Sequence, residues 1–278
     1  MKRIFFLSVS IIIIIIIIII MVSFFYWQNN DLVITKHVIN SDKIPKGFNH
    51  YKILHLSDLH NKNFGKRQEK LVGRIKEEKP DVIVFTGDII DRRSKDLKPA
   101  ALLIDQLVEL APVYFVPGNH EWDSDLKRKL ETLLMKKGVV ILTNKVRIIE
   151  RNGERIEMAG LDDPESGLSI RSSIKRISEK MQPDLYSIVL SHRPTWFNTY
   201  TRAGFNLVFS GHAHGGQIRL PIIGGVFAPG EGFNPKYSEG IHQQDHTSMV
   251  VSRGLGNSSF PLRIFNRPEI VVITLQSE

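Results

Sequence analysis

Residues 51–60, Tyr-Lys-Ile-Leu-His-Leu-Ser-Asp-Leu-His (YKILHLSDLH), contain the pattern that decides the fold. The apolar stretch before Ser57 predicts a short buried β-strand, which ends in Asp58 and His60. A helical spacing of apolar residues follows between residues 66 and 78, and Pro80 ends it. This order of strand, polar strand end and helix recurs along the chain, which indicates a layered α/β fold.

Four further predicted strands also end in acidic, amide or imidazole side chains. These strand ends carry Asp88, Asn119 with His120, His192, and His212 with His214. Ligands of open α/β sheets bind outside the carboxyl ends of the strands, so we expect the five segments to converge on one crevice. The alternative is that these residues are ordinary turn residues or helix N-caps.

The converging groups are two carboxylates, five imidazoles and one amide, and the chain has no cysteine. The lack of thiols excludes a cysteine nucleophile, a cysteine zinc site and disulfides. The donor set suits manganese, iron, zinc or cobalt ions. If one group is reserved for acid–base work, seven ligands remain, which suffice for two ions with one bridging carboxylate. Two such ions about 3.5–4 Å apart activate a shared water or hydroxide and clamp a phosphoryl group.

The order and approximate spacing of these residues resemble the calcineurin-like metallophosphoesterase superfamily. The motifs are Asp58-x-His60, Gly87-Asp88, Gly118-Asn119-His120-Glu121, His192 and Gly211-His212-x-His214. The likeness extends from about His50 to Leu275, and the tail from Ser252 to Ile270 resembles the bacterial membrane-associated or exported branch. It implies an α/β (α+β layered) fold: a four-layer β-sandwich flanked by helices and preceded by one N-terminal transmembrane helix.

The resemblance also implies two divalent ions, of manganese, zinc, iron or cobalt. The implied ligands are Asp58, His60 and His214 for one ion, Asn119, His192 and His212 for the other, and Asp88 as the bridge. His120 would steer the phosphate or protonate the leaving oxygen, and Glu121 would orient His120 or a ligand. Asn61 is a candidate for lining the pocket. Arg193 would either bind substrate phosphate or be solvated or salt-bridged.

The N-terminal segment Ile4 to Trp27 has no charged residue and contains ten consecutive isoleucines. Its 24 residues would span about 36 Å as a helix, enough to cross a bilayer. A cleaved signal peptide is the alternative, but its apolar part is usually shorter and does not end in an aromatic cluster. We expect an anchor over residues 1–28 and a metallophosphoesterase domain over residues 29–278. Lys2 and Arg3 favour an extracytoplasmic domain, although Lys36 weakens this expectation.

The net charge of +8 favours anionic partners, but the basic residues are scattered and predict no specific nucleic acid. Residues 215–235, rich in glycine, proline and apolar residues, predict a lid, a lipid-facing rim or a hairpin packed on the core. Elsewhere, Asn152-Gly153 predicts a β-hairpin, and Ser124 is a candidate cap for the helix that runs to Lys136.

The function expected from these features is metal-dependent hydrolysis of a phosphodiester or phosphomonoester. The membrane anchor favours a lipid-linked or cell-envelope phosphoester as substrate. One alternative is a pyrophosphohydrolase of sugar nucleotides or lipids, and another is a non-catalytic, metal-stabilised binding module of the envelope. The sequence leaves open the native metal, the preferred ester and the oligomeric state.

Overall fold

The structure is a computed structural model that describes residues 2–228, 231–257 and 260–278. The helices are α1 (Lys2–Asn30), α2 (Glu69–Glu78), α3 (Lys98–Leu107), α4 (Asn119–Trp122), α5 (Lys127–Lys136), α6 (Ile170–Ser178) and α7 (Phe197–Arg202). The strands are β1 (Val33–Ser41), β2 (Lys52–Leu56), β3 (Val82–Thr86), β4 (Val113–Val116), β5 (Val140–Ile141), β6 (Lys145–Arg151), β7 (Glu154–Gly160), β8 (Ser187–Leu190), β9 (Leu207–Ser210), β10 (Arg219–Leu220), β11 (Gly224–Gly225), β12 (Phe227–Ala228), β13 (Gly232–Phe233), β14 (Gly240–Gln244), β15 (Thr247–Val251) and β16 (Glu269–Ser277).

Two large sheets form the centre of the domain. The first sheet has the strand order β1-β16-β2-β3-β4-β5, and the second has the order β14-β15-β9-β8-β7-β6. Strands β2 to β5 pair in parallel, as do β7, β8, β9 and β15. Parallel neighbours bring their carboxyl ends to the same edge of a sheet, which is where the predicted site residues follow the strands.

The two sheets pack face to face, with helices on both outer surfaces. Val84 and Ile188 belong to the apolar core between the sheets. The next residue of β3, Phe85, points to the opposite face and packs with α2 and α3. Helices α6 and α7 cover the outer face of the second sheet. The layers therefore run helix, sheet, sheet, helix, which confirms the predicted four-layer fold.

Strand β3 shows why the sequence forms these layers. All five of its residues, Val82–Thr86, are buried, because the sheet is covered on both faces. Helix α2 buries Leu71 and Ile75, four residues apart on one helical face. Each such leucine or isoleucine contributes about 1.5–3 kcal/mol when it leaves water.

The local signals in the middle of the chain had different outcomes. The hairpin predicted at Asn152-Gly153 is confirmed: it joins β6 to β7, and both residues have positive φ, 54° and 78°. The prediction that Ser124 caps the next helix is wrong. Helix α5 begins at Lys127 after Leu126, and the Ser124 hydroxyl accepts instead from the Leu126 amide at 3.2 Å. The intervening turn leaves Ser124 two residues before the capping position, which Leu126 occupies.

Helix α1 projects from the domain. Within the described residues, one helix is long and apolar enough to cross a membrane, by length and composition alone: Phe5–Asn30, with a mean hydropathy of 3.5. The predicted boundary after residue 28 falls inside α1, whose last residue is Asn30. Gln28 and Asn29 are buried against the domain, so the helix joins it without a flexible linker.

Candidate metal centre

The predicted strand ends meet in two buried clusters of potential ligands. The first cluster is Asp58, His60 and His214, and the second is Asp88, His192 and His212. Within each cluster, the ligand atoms all lie within 4.8 Å of one another. The clusters combine strands of both sheets, since His60 follows β2 whereas His192 and His214 follow β8 and β9.

In the first cluster, the Nε2 atoms of the two imidazole rings lie next to each other. His60 Nε2 lies 3.1 Å from His214 Nε2, and His214 Nε2 lies 3.4 Å from Asp58 Oδ1. Burial lowers the pKa of His60 to about 3 and that of His214 well below its usual range. Both rings are therefore neutral at pH 7, the form in which imidazole binds a metal.

In the second cluster, three acceptor-capable atoms surround His192 Nε2. It lies 3.3 Å from Asp88 Oδ2, 3.1 Å from Asn119 Oδ1 and 3.1 Å from His212 Nδ1. The other ring nitrogen, Nδ1, lies 2.7 Å from the Thr86 carbonyl oxygen and must donate its proton there. In a neutral ring, Nε2 would therefore turn a lone pair towards these atoms.

A positive charge would stabilise this arrangement, because a lone pair of neutral His192 Nε2 would otherwise face the Asp88 carboxylate at 3.3 Å. Although burial alone would lower the pKa of His192, Asp88 and Asp58 raise it to about 10 when only protein groups are present. A divalent cation supplies the same charge and accepts all of the lone pairs. Ligand atoms bound at about 2.0–2.2 Å to one ion are separated by roughly 2.9–3.4 Å. The measured separations around His192 fall in that range, so the residues fit a metal ion.

Asp88 lies between the two clusters. Its Oδ2 atom is 3.3 Å from His192 Nε2 and 3.7 Å from His60 Nε2. Its other oxygen, Oδ1, accepts a hydrogen bond from the His120 amide at 2.9 Å. The Asp88 carboxylate is thus close to potential ligands of both clusters, and the His120 amide holds its orientation.

The backbone at the site is strained to aim these side chains. Asp58, Asp88 and His212 have positive φ values of 54°, 55° and 67°. Such conformations cost about 1–3 kcal/mol each and concentrate at functional sites. Two glycines leave room for neighbouring side chains at the site. A Cβ at Gly118 would lie 2.3 Å from Asp88 Oδ1, and a Cβ at Gly211 would lie 1.9 Å from Ser57 Oγ.

His120 lies beside the two clusters, and one of its ring nitrogens is hydrogen-bonded to the backbone. Its Nδ1 accepts from the Arg92 amide at 3.1 Å. In the neutral ring, which burial favours by lowering the pKa of His120, the proton must then reside on Nε2. His120 therefore has a free proton donor on the atom opposite its backbone contact.

Glu121 is buried and holds the loops that carry the potential ligands. Its Oε2 accepts from the amides of Asp88 and Gly118, both at 2.7 Å, and Oε1 accepts from the Ile90 amide at 3.1 Å. Burial, together with the charge of Asp88, raises the pKa of Glu121 to about 8. The carboxyl group thus orients the Asp88 loop through backbone amides, and none of these three hydrogen bonds involves the His120 ring.

Sequence reasoning missed Asp91. Its Oδ2 lies 3.8 Å from His60 Nδ1 and 3.6 Å from His120 Nδ1, and its Oδ1 accepts from Arg93 Nε at 2.8 Å. The available signal was its position three residues after Asp88 in the same strand-end loop. Asp91 does not directly follow the strand, so the pattern of polar strand ends does not include it.

Two other candidates have structural partners. Arg193 forms ion pairs with Asp163 and Glu165 at 2.8 and 3.0 Å, which is the salt-bridged alternative. Asn61 donates to Ser94 Oγ at 2.6 Å and to the Asp96 carbonyl at 3.1 Å. Asn61 therefore secures the loop that follows Asp88.

The segment 215–235 forms two small antiparallel pairs, β10–β11 and β12–β13, and residues 229 and 230 lie outside the described part. Gly225 and Ala228 are buried against the domain, whereas Ile222 and Ile223 are exposed. The predicted hairpin packed on the core therefore describes the side of the segment that carries Gly225 and Ala228. The side that carries Ile222 and Ile223 is exposed among the described residues.

This fold and strand-end chemistry define a metallophosphoesterase. The chain belongs to the calcineurin-like phosphoesterase family, whose family model matches residues 51–216. It is 35% identical to the uncharacterized metallophosphoesterase YkuE of Bacillus subtilis, over 87% of this chain and 85% of that protein. It is 31% identical to the Bos taurus transmembrane protein with metallophosphoesterase domain, over 84% and 55% of the respective chains. Phosphodiesterase YaeI of Escherichia coli is 27% identical, over 81% and 82%.

Proposed function

We propose that this protein is a membrane-anchored phosphoester hydrolase that uses two divalent metal ions. The observation that carries the proposal is the surrounding of His192 Nε2 by Asp88, Asn119 and His212 at separations that fit the ligands of one metal ion. Membership of the calcineurin-like phosphoesterase family supports the same chemistry.

The proposed ligands follow the two clusters. Asp58, His60 and His214 would hold one ion, Asn119, His192 and His212 would hold the other, and Asp88 would contribute to both. When bound, the two ions supply Lewis-acid charge for the phosphoryl oxygens and a water made nucleophilic at neutral pH. The donor set of imidazole, carboxylate and amide suits manganese, zinc, iron or cobalt.

His120 would serve the leaving group. As the P–O bond breaks, the leaving oxygen gains negative charge and takes a proton from His120 Nε2. The Arg92 amide fixes the tautomer that can donate, and the hydrogen bond from the His120 amide to Asp88 fixes the loop. Glu121 would keep this loop in place through its three backbone contacts.

The anchor supports a substrate in the membrane or cell envelope. Gln28 Oε1 accepts from the Asn266 amide at 3.2 Å, and Asn29 Oδ1 accepts from the Arg263 amide at 3.1 Å. Removal of a signal peptide near residue 28 would break these buried contacts, which favours an uncleaved helix. With Lys2 and Arg3 on the cytoplasmic side, the domain would be extracytoplasmic and act on a lipid-linked or envelope phosphoester.

The test is hydrolysis of bis(p-nitrophenyl) phosphate by the full-length protein in detergent with Mn²⁺. We expect activity in the parent, a loss in both Asp88→Asn and His120→Ala, and no change in the exposed control Gln243→Ala. Metal analysis should find two ions per chain in the parent and His120→Ala, and fewer in Asp88→Asn.

The outcomes separate the candidate functions. Two bound ions without hydrolysis of any diester, monoester or pyrophosphate would identify the metal-stabilised binding module and overturn the enzyme proposal. Preferential hydrolysis of sugar nucleotides or lipid pyrophosphates would identify the pyrophosphohydrolase. Unchanged metal content in Asp88→Asn would contradict the bridging role.

A further inference from the structure

Apolar side chains are exposed next to the metal centre in neighbouring groups, and Leu220, Ile222 and Phe265 line one shallow cavity. This apolar rim consists of Leu220, Ile222, Ile223, Phe227, Phe233 and Phe265. The rings of Phe227 and Phe233 contact each other at 5.4 Å between centroids. The Arg219 amide donates to the Ile264 carbonyl at 2.9 Å, which joins the β10–β11 hairpin to the segment that carries Phe265. Contiguous apolar surface of this kind marks an interaction site.

The rim is continuous with the anchor helix. The Phe265 ring packs edge-to-face on Phe24 of α1, with centroids 5.7 Å apart. Phe24 begins the aromatic end of the apolar helix, which finishes at Tyr26 and Trp27. Such aromatic residues are typical of the boundary between hydrocarbon and headgroups. Phe265 therefore lies at the depth where α1 would leave the bilayer.

The junction fixes the angle between rim and helix. Gln28 is 2% exposed, and its side chain accepts from the Asn266 amide, one residue from Phe265. Asn29 binds Arg263 and Asn257 on the same segment. Because no flexible linker intervenes, the rim cannot swing away from the membrane surface while α1 remains in the bilayer.

Ile222 provides an independent observation. It is fully exposed, with a relative exposure of 108%, yet it has a φ of 74°. A β-branched residue in the left-handed region is a strained outlier. Together with Leu220 and Phe265, Ile222 lines a shallow cavity at this surface. Insertion of the exposed side chain into lipid would remove its apolar surface from water, which is favourable.

Charge on the other side of the helix end is also suited to a lipid surface. A cavity of about 750 Å³ lies beside Tyr26 and Trp27 and is lined by Lys70, Arg74 and an Arg267 that is paired with Asp31, which leaves two cations of excess. Basic side chains at the headgroup level attract anionic phospholipids. The surface around the helix end therefore combines an apolar rim with cationic neighbours, as in proteins that lie on membranes.

We propose that the apolar rim inserts into the bilayer beside α1, so that the catalytic crevice opens along the membrane surface. The proposal rests on the membrane anchor proposed above. The first hairpin begins at Arg219, five residues after His214 of the first cluster. A rim held in lipid would therefore keep the metal centre close to the headgroups, where a phosphoester attached to a lipid would be accessible.

The lack of cysteine makes the test direct, because every introduced cysteine is a unique labelling site. Full-length Ile222→Cys and Phe233→Cys are labelled with a nitroxide and placed in nanodiscs of phosphatidylcholine and phosphatidylglycerol. Matched controls are Ile14→Cys inside α1 and Met135→Cys, which is exposed on α5. Power saturation with oxygen and a water-soluble nickel complex measures the depth of each label.

We expect the labels at 222 and 233 to lie about 5–10 Å below the headgroup boundary, while the label at 135 remains in water. Hydrolysis of the soluble diester at the parent rate shows that the labelled rim variants are folded. Rim labels as accessible to nickel as the label at 135, with the label at 14 in lipid, would overturn the proposal. A water-accessible label at 14 would overturn the anchor and the rim together, whether or not the protein hydrolyses phosphoesters.

Discussion

The metal centre and the helix junction are both buried and polar, yet they satisfy their polar groups in opposite ways. Around His192, acceptor-capable atoms lie 3.1–3.3 Å from its Nε2, at separations that fit the ligands of a metal ion. At the junction, each named donor meets an acceptor: Asn29 Oδ1 accepts from Asn257 Nδ2 at 2.9 Å and from the Arg263 amide at 3.1 Å. The first region has the donor set of a metal site, whereas the named contacts of the second lie within the protein.

Arg263 shows how the junction tolerates a buried charge. It is 2% exposed and donates to the carbonyl oxygens of Arg253 and Asn266 at 2.9 and 3.2 Å. Burial lowers the pKa of Arg263 to about 10, so the side chain remains charged at pH 7. Carbonyl dipoles thus replace the water that the guanidinium loses, and no bound ion is needed.

One residue connects the two regions. Asn266 Nδ2 donates to the carbonyl oxygens of His214 and Gln217 at 2.7 and 2.9 Å, while the Asn266 amide donates to Gln28. Asn266 therefore links the anchor helix to the backbone of His214 in the first cluster. The comparison predicts that perturbing the metal centre, the connection and the junction will have successively smaller effects on catalysis.

Metal removal should have the largest effect. We expect chelation to abolish hydrolysis and to lower stability by about 2.7 kcal/mol for each site that was held at a hundredfold excess over its Kd. For a chain of this size, that corresponds to a fall in Tm of roughly 5–10 °C per site. Differential scanning fluorimetry before and after dialysis against EDTA measures it. Restored Tm on adding Mn²⁺ is the control, and an unchanged Tm would contradict metal binding at the two clusters.

His120→Ala should reduce kcat by about 10²–10⁴-fold, because the leaving oxygen loses its proton donor. The metal content should be unchanged, since His120 is not among the proposed ligands. Steady-state kinetics with bis(p-nitrophenyl) phosphate and metal analysis measure the two quantities. His242→Ala, which removes a half-buried histidine bonded to the Glu239 carbonyl, is the matched control. Loss of a metal ion in His120→Ala would reassign the residue as a ligand.

Asn266→Ala should weaken metal binding by about 10–100-fold, as expected when a group that orients a ligand is removed. The change leaves the His214 and Gln217 carbonyl oxygens without their donor. Titration of the metal-free protein with Mn²⁺, followed calorimetrically, gives the affinity. Asn198→Ala at an exposed position is the control. Equal affinities in the two variants would show that the connection does not position His214.

Asn29→Ala should have the smallest effect on catalysis. It removes the acceptor of two buried donors and should cost about 1–3 kcal/mol of stability, with hydrolysis of the soluble diester nearly unchanged. Thermal unfolding in detergent measures the loss. Asn30→Ala is the matched control, because Asn30 makes only an exposed contact with the Tyr26 carbonyl. If both variants unfold at the parental Tm, the junction is not a structural part of the domain.

The sequence was most informative where chemistry lies next to a recognisable strand. Asp58, Asp88 and His192 could be identified because buried apolar strands precede them and parallel strands share an edge. The predicted division of His212 and His214 between two sites agrees with their places in separate clusters, although their metal ligation remains a prediction. Asp91 and Asn266 were not found, because neither directly follows a strand and their partners are distant along the chain.

By itself, the sequence determined the helix–strand rhythm, the layered α/β class, the apolar N-terminal helix and the residue types of the candidate site, and the resemblance to the family implied four layers. Period and composition act over a few residues, so they can be read without coordinates. Only the tertiary structure decided which nitrogen of His192 faces Asp88, how Glu121 holds the Asp88 loop, and how Asn266 joins α1 to His214. These contacts depend on positive φ values and on pairings across tens to hundreds of residues, which local sequence patterns do not encode.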